Sequence, residues 1–291
     1  NLADNQLSGP IPESTGDLDK LRHLDLNNNQ LSGSLPQTLT DLVDLTWLDL
    51  SDNQLSGPVP AELSGMSELF ALFLDGNQFS GPVPAALGDL SGLYYLHLNN
   101  NVLDGAIPTT LGNLANLRNL LLNGNRLSGS IPAVLGNLTK LRYLYLHNNG
   151  LSGVIPAELG ALVDMVVLSF GQNMLQGAIP SELGNLGELQ GLYLYSNQLD
   201  GQIPQSLGSL IKLETLSIGS NRFSGPIPAT FGNLDNMEFL FLYDNQLGGA
   251  IPSELGKLQN LKQLALDGNQ LAGPQPVSLM KLTNLQNVSG L

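Results

Sequence analysis

The sequence predicts an α/β solenoid of about twelve coils, each made of a short strand, a turn and a short helical segment. Three columns predict it. An asparagine recurs every 24 residues, at Asn5, Asn29, Asn53, Asn77, Asn101, Asn125, Asn149, Asn173, Asn197, Asn221, Asn245 and Asn269. A glycine stands four residues after each, from Gly9 and Gly33 to Gly273. A proline stands seven after each, from Pro12 and Pro36 to Pro276. No linker or composition shift interrupts the columns, so residues 1–291 read as a single domain.

Each column has a physical reading. The L-x-L ahead of the asparagine is a period-two strand with its leucines facing inward. The asparagine follows where the chain must turn while still buried, and its amide can satisfy unpaired backbone groups there. Stacked coils then align these amides into a ladder. The glycine marks a backbone shape that a Cβ opposes. The proline suits the first turn of a short helix, where its missing N–H costs nothing. The leucines of P-x-x-L-G-x-L point inward from that segment. Phe79, Phe170, Phe223 and Phe231 occupy leucine columns and read as core.

The template L-x-x-L-x-L-x-x-N-x-L-S-G-x-I-P-x-x-L-G-x-L resembles the 24-residue, plant-type leucine-rich repeat family, over essentially the whole chain. The resemblance implies a right-handed superhelix. Its concave face is a parallel sheet, its convex side is mostly 3-10 helix, and the G-x-I-P segment tends to add a second short strand. The resemblance also implies a recognition scaffold of the kind used in receptor ectodomains and in secreted inhibitors of microbial enzymes. Family receptors usually carry cysteine-pair caps, and this chain has no cysteine. The array starts and stops mid-repeat, so the terminal repeats are incomplete and a longer natural protein is expected.

Bulk composition narrows the function. The 291 residues are 42% hydrophobic with a formal net charge of −14. An acidic surface repels nucleic acid and anionic membranes. No stretch approaches the ~20 apolar residues of a membrane span, so no direct membrane contact is expected from this segment. No phosphate-binding loop, dinucleotide fingerprint or nucleophile elbow appears. His23, His97 and His147 make no metal-ligand spacing, so no metal and no cofactor are expected. The reading is non-enzymatic.

Function, where visible, lies in the variable strand positions that point out of the concave face. Of one Trp, seven Tyr and eight Phe, all but the four core phenylalanines fall on such positions. The candidate ligand-binding residues are Trp47, Phe73, Tyr95, His97, Arg118, Arg142, Tyr143, Tyr145, His147, Tyr193, Tyr195, Phe241 and Tyr243. Strand propensity is the bland account, since aromatics suit a pleated surface. Val, Ile and Thr would serve propensity as well, yet only Thr46, Val166, Val167 and Thr215 appear there. That tilts the balance toward recognition of a protein, peptide or glycan. Bulky strands also alternate with small ones from Tyr95 onward. Crowding on a concave sheet and a row of shallow pockets about 10 Å apart both fit that alternation. Tyr143, Tyr145 and His147 read as the centre of the face. Arg118 and Arg142 share a column suited to a carboxylate or sulfate. Asp25 and Asp49 share another, with Asp52 and Asp75 near the strand ends. Asn137, in Asn137-Leu138-Thr139, is the better of two glycosylation sequons, being expected on the convex side.

The expected function is a non-catalytic ligand-recognition module, extracellular or at the cell surface, in a receptor-like or defence protein. A structural, adhesive or intracellular scaffold is the alternative, and a secreted inhibitor of a microbial enzyme the third reading. Nothing in the sequence sets an oligomeric state.

Overall fold

The computed structural model describes residues 1–290. Its packing separates into two compact units, Asn1–Gly150 and Leu151–Leu291, built from the same coil. In the first unit the strands His23–Asp25, Trp47–Asp49, Ala71–Phe73, Tyr95–His97, Asn119–Leu121 and Tyr143–Tyr145 pair in parallel, in chain order. Each pairs one repeat on, so that Leu24, Leu48 and Leu72 stand side by side. In the second unit Val167–Ser169, Gly191–Tyr193, Thr215–Ser217, Phe239–Phe241, Gln263–Ala265 and Asn287–Ser289 do the same.

The inward leucines make the core. Leu48, Leu72, Leu96, Leu120 and Leu144 are all 0% exposed, as are the four core phenylalanines. Full burial of such a side chain contributes about 2 kcal/mol. Opposite the main strands the coil adds the second short strand that the resemblance implied. Gln54–Pro58 pairs with Gln78–Pro82 in the first unit, and Gln246–Gly249 with Gln270–Leu271 in the second.

The asparagine column forms the expected ladder. Asn77 is buried and uses all of its amide. Its Nδ2 donates to Leu50 O at 2.9 Å, Leu74 O at 3.2 Å and Asp75 O at 3.1 Å, while its Oδ1 accepts from Leu55 N–H at 2.9 Å. The glycine column is required by its backbone: Gly33 has φ +80°, where a side chain is strained. A second strained position precedes the ladder. Asp52, Asn100 and Asp244 sit there at φ 51–54°, and glycine takes the same position at Gly76, Gly124 and Gly268.

The proline column differs from its expectation by one residue. Pro36 is extended at φ −66° and ψ 139°, and the 3-10 helix Gln37–Asp41 begins after it. Its role is its carbonyl, which accepts Leu39 N–H at 3.0 Å and closes the first turn. The ring fixes φ while leaving ψ extended, so the proline ends the preceding stretch instead of occupying the helix. Leu39 and Leu42 from this segment are fully buried.

Candidate functional site

Every second residue of a main strand points away from the leucine core. In the first unit these positions form a grid. Across it run His23, Trp47, Ala71 and Tyr95, and beside them Asp25, Asp49, Phe73 and His97, strand by strand in register. Ala71 is the small member, flanked by Trp47 and Tyr95.

The rings on this grid touch one another. Trp47 stacks on His23 with centroids 5.3 Å apart and meets Phe73 at 4.9 Å and Phe70 at 5.5 Å. Phe73 meets Tyr95 at 6.2 Å and lies edge-to-face with His97 at 4.6 Å. Phe70 extends the network to Tyr94 and Tyr95. Trp47, Phe73, Tyr95 and His97, all predicted site residues, are thus brought together and half-buried. Such contacts add about 0.5–1.5 kcal/mol per pair beyond area burial.

Carboxylates flank the rings. Asp49 Oδ1 accepts from the Ser51 N–H at 3.0 Å and its hydroxyl at 2.6 Å. Asp25 Oδ1 accepts from Asn27 Nδ2 at 2.8 Å, and the same nitrogen reaches Asp49 Oδ2 at 3.3 Å. Burial pushes the Asp75 carboxyl up to about 6, overcoming a hydrogen bond from its own backbone, with repulsion from Asp52 and Asp49 adding to the rise. Burial pushes the His97 imidazole down to about 4 against the pull of Asp49, so the ring is neutral near pH 7. Its Nε2 and Trp47 Nε1 are buried without a hydrogen-bond partner.

Arg118 and Arg142 are exposed and lie just ahead of their strands. The Arg118 guanidinium sits over the Tyr94 ring at 5.1 Å, and that of Arg142 over Tyr143 at 6.0 Å. Tyr143 meets Tyr145 at 6.5 Å, and Tyr145 meets His147 at 5.9 Å. Burial also lowers the His147 imidazole. Contacts in this second group run along one strand and past its end, from Arg142 through Tyr143 and Tyr145 to His147. The first ring network hinges on Trp47 and Phe73, and the expected centre at Tyr143, Tyr145 and His147 forms a contact group of its own. The first network's partners His23, Phe70 and Tyr94, and the carboxylates Asp49 and Asp75, lay outside the predicted site. The register signal was available: adding 24 to 23, 49 or 70 lands on another member of the network.

In the second unit the predicted residues pack differently. A Cβ at Gly171 would stand 2.6 Å from the Tyr195 ring, and one at Gly219 2.6 Å from the Tyr243 ring. The Tyr193 ring covers Gly191 in the same manner. The tyrosines therefore lie over neighbouring glycines and occupy the space that a row of pockets would need. Crowding is the account that the alternation of bulky and small strands obeys here. Phe241 stacks with Phe239 at 6.2 Å.

Asn137 ends the 3-10 helix Ala133–Asn137, and it and Thr139 are exposed, as a sequon requires. No helix among the described residues is long and apolar enough to cross a membrane.

The model described as Leucine rich repeat matches residues 1–55, 36–79 and 211–271. A two-copy form matches residues 115–157 and a single-repeat form 92–114 and 188–210, so that together the matches cover most of the chain. The chain is a leucine-rich repeat protein. Comparison with curated protein sequences gave no match. Among solved structures, this leucine-rich repeat array is similar to the plant peptide hormone receptor RGFR1 in complex with RGF2. The two are 37% identical, with a TM-score of 0.96, over 98% of this chain and 46% of that one. It is also similar to the ectodomain of the Arabidopsis thaliana membrane receptor kinase GASSHO1/SCHENGEN3 in complex with CASPARIAN STRIP INTEGRITY FACTOR 2. There the identity is 41% and the TM-score 0.95, over 99% of this chain and 35% of that one. A Leptospira interrogans leucine-rich repeat protein is 29% identical with a TM-score of 0.72, over 96% of this chain and 74% of that one. The chain thus spans less than half the length of the two plant receptor chains.

Proposed function

We propose that this chain is a non-catalytic recognition module of plant-receptor type, extracellular, that binds a peptide or protein segment along the concave face of its first unit. The observation that carries the reading is the half-exposed ring network from His23 to His97, continued by Arg118, Arg142, Tyr143 and Tyr145. Rings and guanidinium groups of this kind dominate binding hot spots. One similar structure is a plant peptide hormone receptor in complex with RGF2, which supports a peptide ligand here. In the second unit, rings packed over glycines favour a stiffening role for Tyr195 and Tyr243.

Selection from a random displayed peptide library tests the reading. Captured peptides should lose binding to Trp47→Ala/Phe73→Ala and to Tyr143→Ala/Tyr145→Ala. Tyr143→Ala/Tyr145→Ala should lower the thermal midpoint by only a few degrees, whereas Trp47→Ala/Phe73→Ala, which breaks several ring contacts, should lower it further while still unfolding cooperatively. Capture of no peptide, or unchanged binding by both variants, would refute it.

A further inference from the structure

Asp25 and Asp49 are each 9% exposed. Buried carboxylates are ordinarily paired with a cation. Among the described residues the ion pairs are Lys20–Asp19, Lys212–Glu188 and Lys262–Glu238, so neither has one. Asp49 is held only by neutral donors, from Ser51 and Asn27. Two repeats of the grid then bring further acceptors. Asp75 stands at the end of the neighbouring strand, close enough to Asp49 for their charges to repel. One coil on, Asn99 is 8% exposed and its Oδ1 has no donor. Its carbonyl takes the N–H of Gly76, the residue after Asp75, at 3.1 Å, which holds the Asn99 backbone in register with Asp75 on the neighbouring coil.

The missing partner is therefore a positively charged donor. A metal ion does not fit, since among the described residues no three His, Asp or Glu side chains gather as ligands. The acceptors adjoin aromatic rings: Phe73 is the register partner of Asp49, lies against Trp47 and stands two residues ahead of Asp75. His97 is neutral there and brings no competing charge. A flat, weakly hydrated guanidinium satisfies carboxylates at its edge and ring faces above and below, which a compact ammonium does less well.

We propose that Trp47, Asp49, Phe73, Asp75 and Asn99 form a seat for an arginine side chain of the ligand. The assignment rests on the peptide-recognition reading and specifies its chemistry. Trp47 is the one tryptophan in the chain, so fluorescence excited at the red edge, where the seven tyrosines do not absorb, reports on this seat. The intact protein is titrated with N-acetyl-arginine amide and with N-acetyl-citrulline amide, the same shape without the charge. Arginine should give a saturable change that weakens with added salt, and citrulline should bind about tenfold more weakly. Asp49→Asn, which keeps the Oδ1 acceptor for Ser51, and Asp75→Asn should each weaken arginine binding severalfold while the fold is retained. Equal responses to arginine and citrulline would overturn the seat, as would unchanged arginine binding by both variants. Library peptides that need Trp47 and Tyr143 yet carry no arginine would overturn the seat and leave peptide recognition standing.

Discussion

The concave faces of the two units answer the same crowding in opposite ways. In the first, ring meets ring: Trp47 touches His23, Phe70 and Phe73, and buried carboxylates stand alongside. In the second, tyrosine meets glycine, Tyr195 over Gly171 and Tyr243 over Gly219, beside the stacked pair Phe239 and Phe241. Ring-on-ring packing leaves aromatic edges and faces turned to solvent beside unpaired charge. Ring-on-glycine packing spends the ring on the protein's own backbone. Twelve nearly identical coils thus carry two kinds of ring packing, and the proposed recognition face is the first.

The scaffold beneath both faces is the same, and the largest expected effect tests that. Asn77 in the first unit and Asn245 in the second hold matching sets of bonds. Asn245 Oδ1 accepts from Phe223 N–H at 3.0 Å, and its Nδ2 donates to Ile218 O, Leu242 O and Tyr243 O. Replacing either with alanine strands several buried backbone groups, so each variant should lose about 3 kcal/mol or more in urea unfolding. A loss in one unit several times that in the other would mean that the two differ below the surface as well.

A smaller effect separates the two kinds of packing. Gly219→Ala drives a Cβ into the Tyr243 ring and should destabilise the protein by about 1–2 kcal/mol. Adding Tyr243→Ser should relieve most of that loss, as read from a double-mutant cycle. A neutral Gly219→Ala would show that the ring does not rest on the glycine.

The smallest effect is electrostatic and confined to the first unit. Asp75 binds its proton more tightly folded than unfolded, so its burial penalty is present near neutral pH and is relieved as pH falls through about 6 toward 4. His97 has the opposite sign. It must stay neutral when folded, so it lowers stability as pH falls from its unfolded value near 6.5 toward about 4. Between pH 6 and 4 the two oppose each other. Asp75→Asn should therefore make stability fall more steeply with acid than in the parent, and His97→Gln less steeply, by urea midpoints across that range. Identical pH slopes in all three proteins would remove the electrostatic half of the comparison.

Much of this molecule was legible before any coordinates. The asparagine, glycine and leucine columns repeat often enough that each role can be read from its neighbours. The proline was misplaced by one residue because a fixed φ is compatible with both positions, and only ψ separates them. The face was harder. Sequence shows that Tyr143, Tyr145 and His147 point out of the sheet. It does not show that Trp47 turns toward His23 and Phe73, because ring contact depends on rotamers and on a small neighbour such as Ala71. The two accounts of the bulky–small alternation were inseparable for the same reason, until Tyr243 was seen lying on Gly219.

The asparagine ladder also has a direction. Asn77 takes the N–H of Leu55 and gives to the carbonyl of Leu50, both in the coil before its own, and Asn101 does the same to Phe79 and Leu74. Every coil is fastened by the one that follows it. A chain leaves the ribosome amino end first. Each newly emerged coil therefore arrives carrying the clasp that locks its predecessor, and the array can close behind the ribosome turn by turn, with no wait for a distant partner.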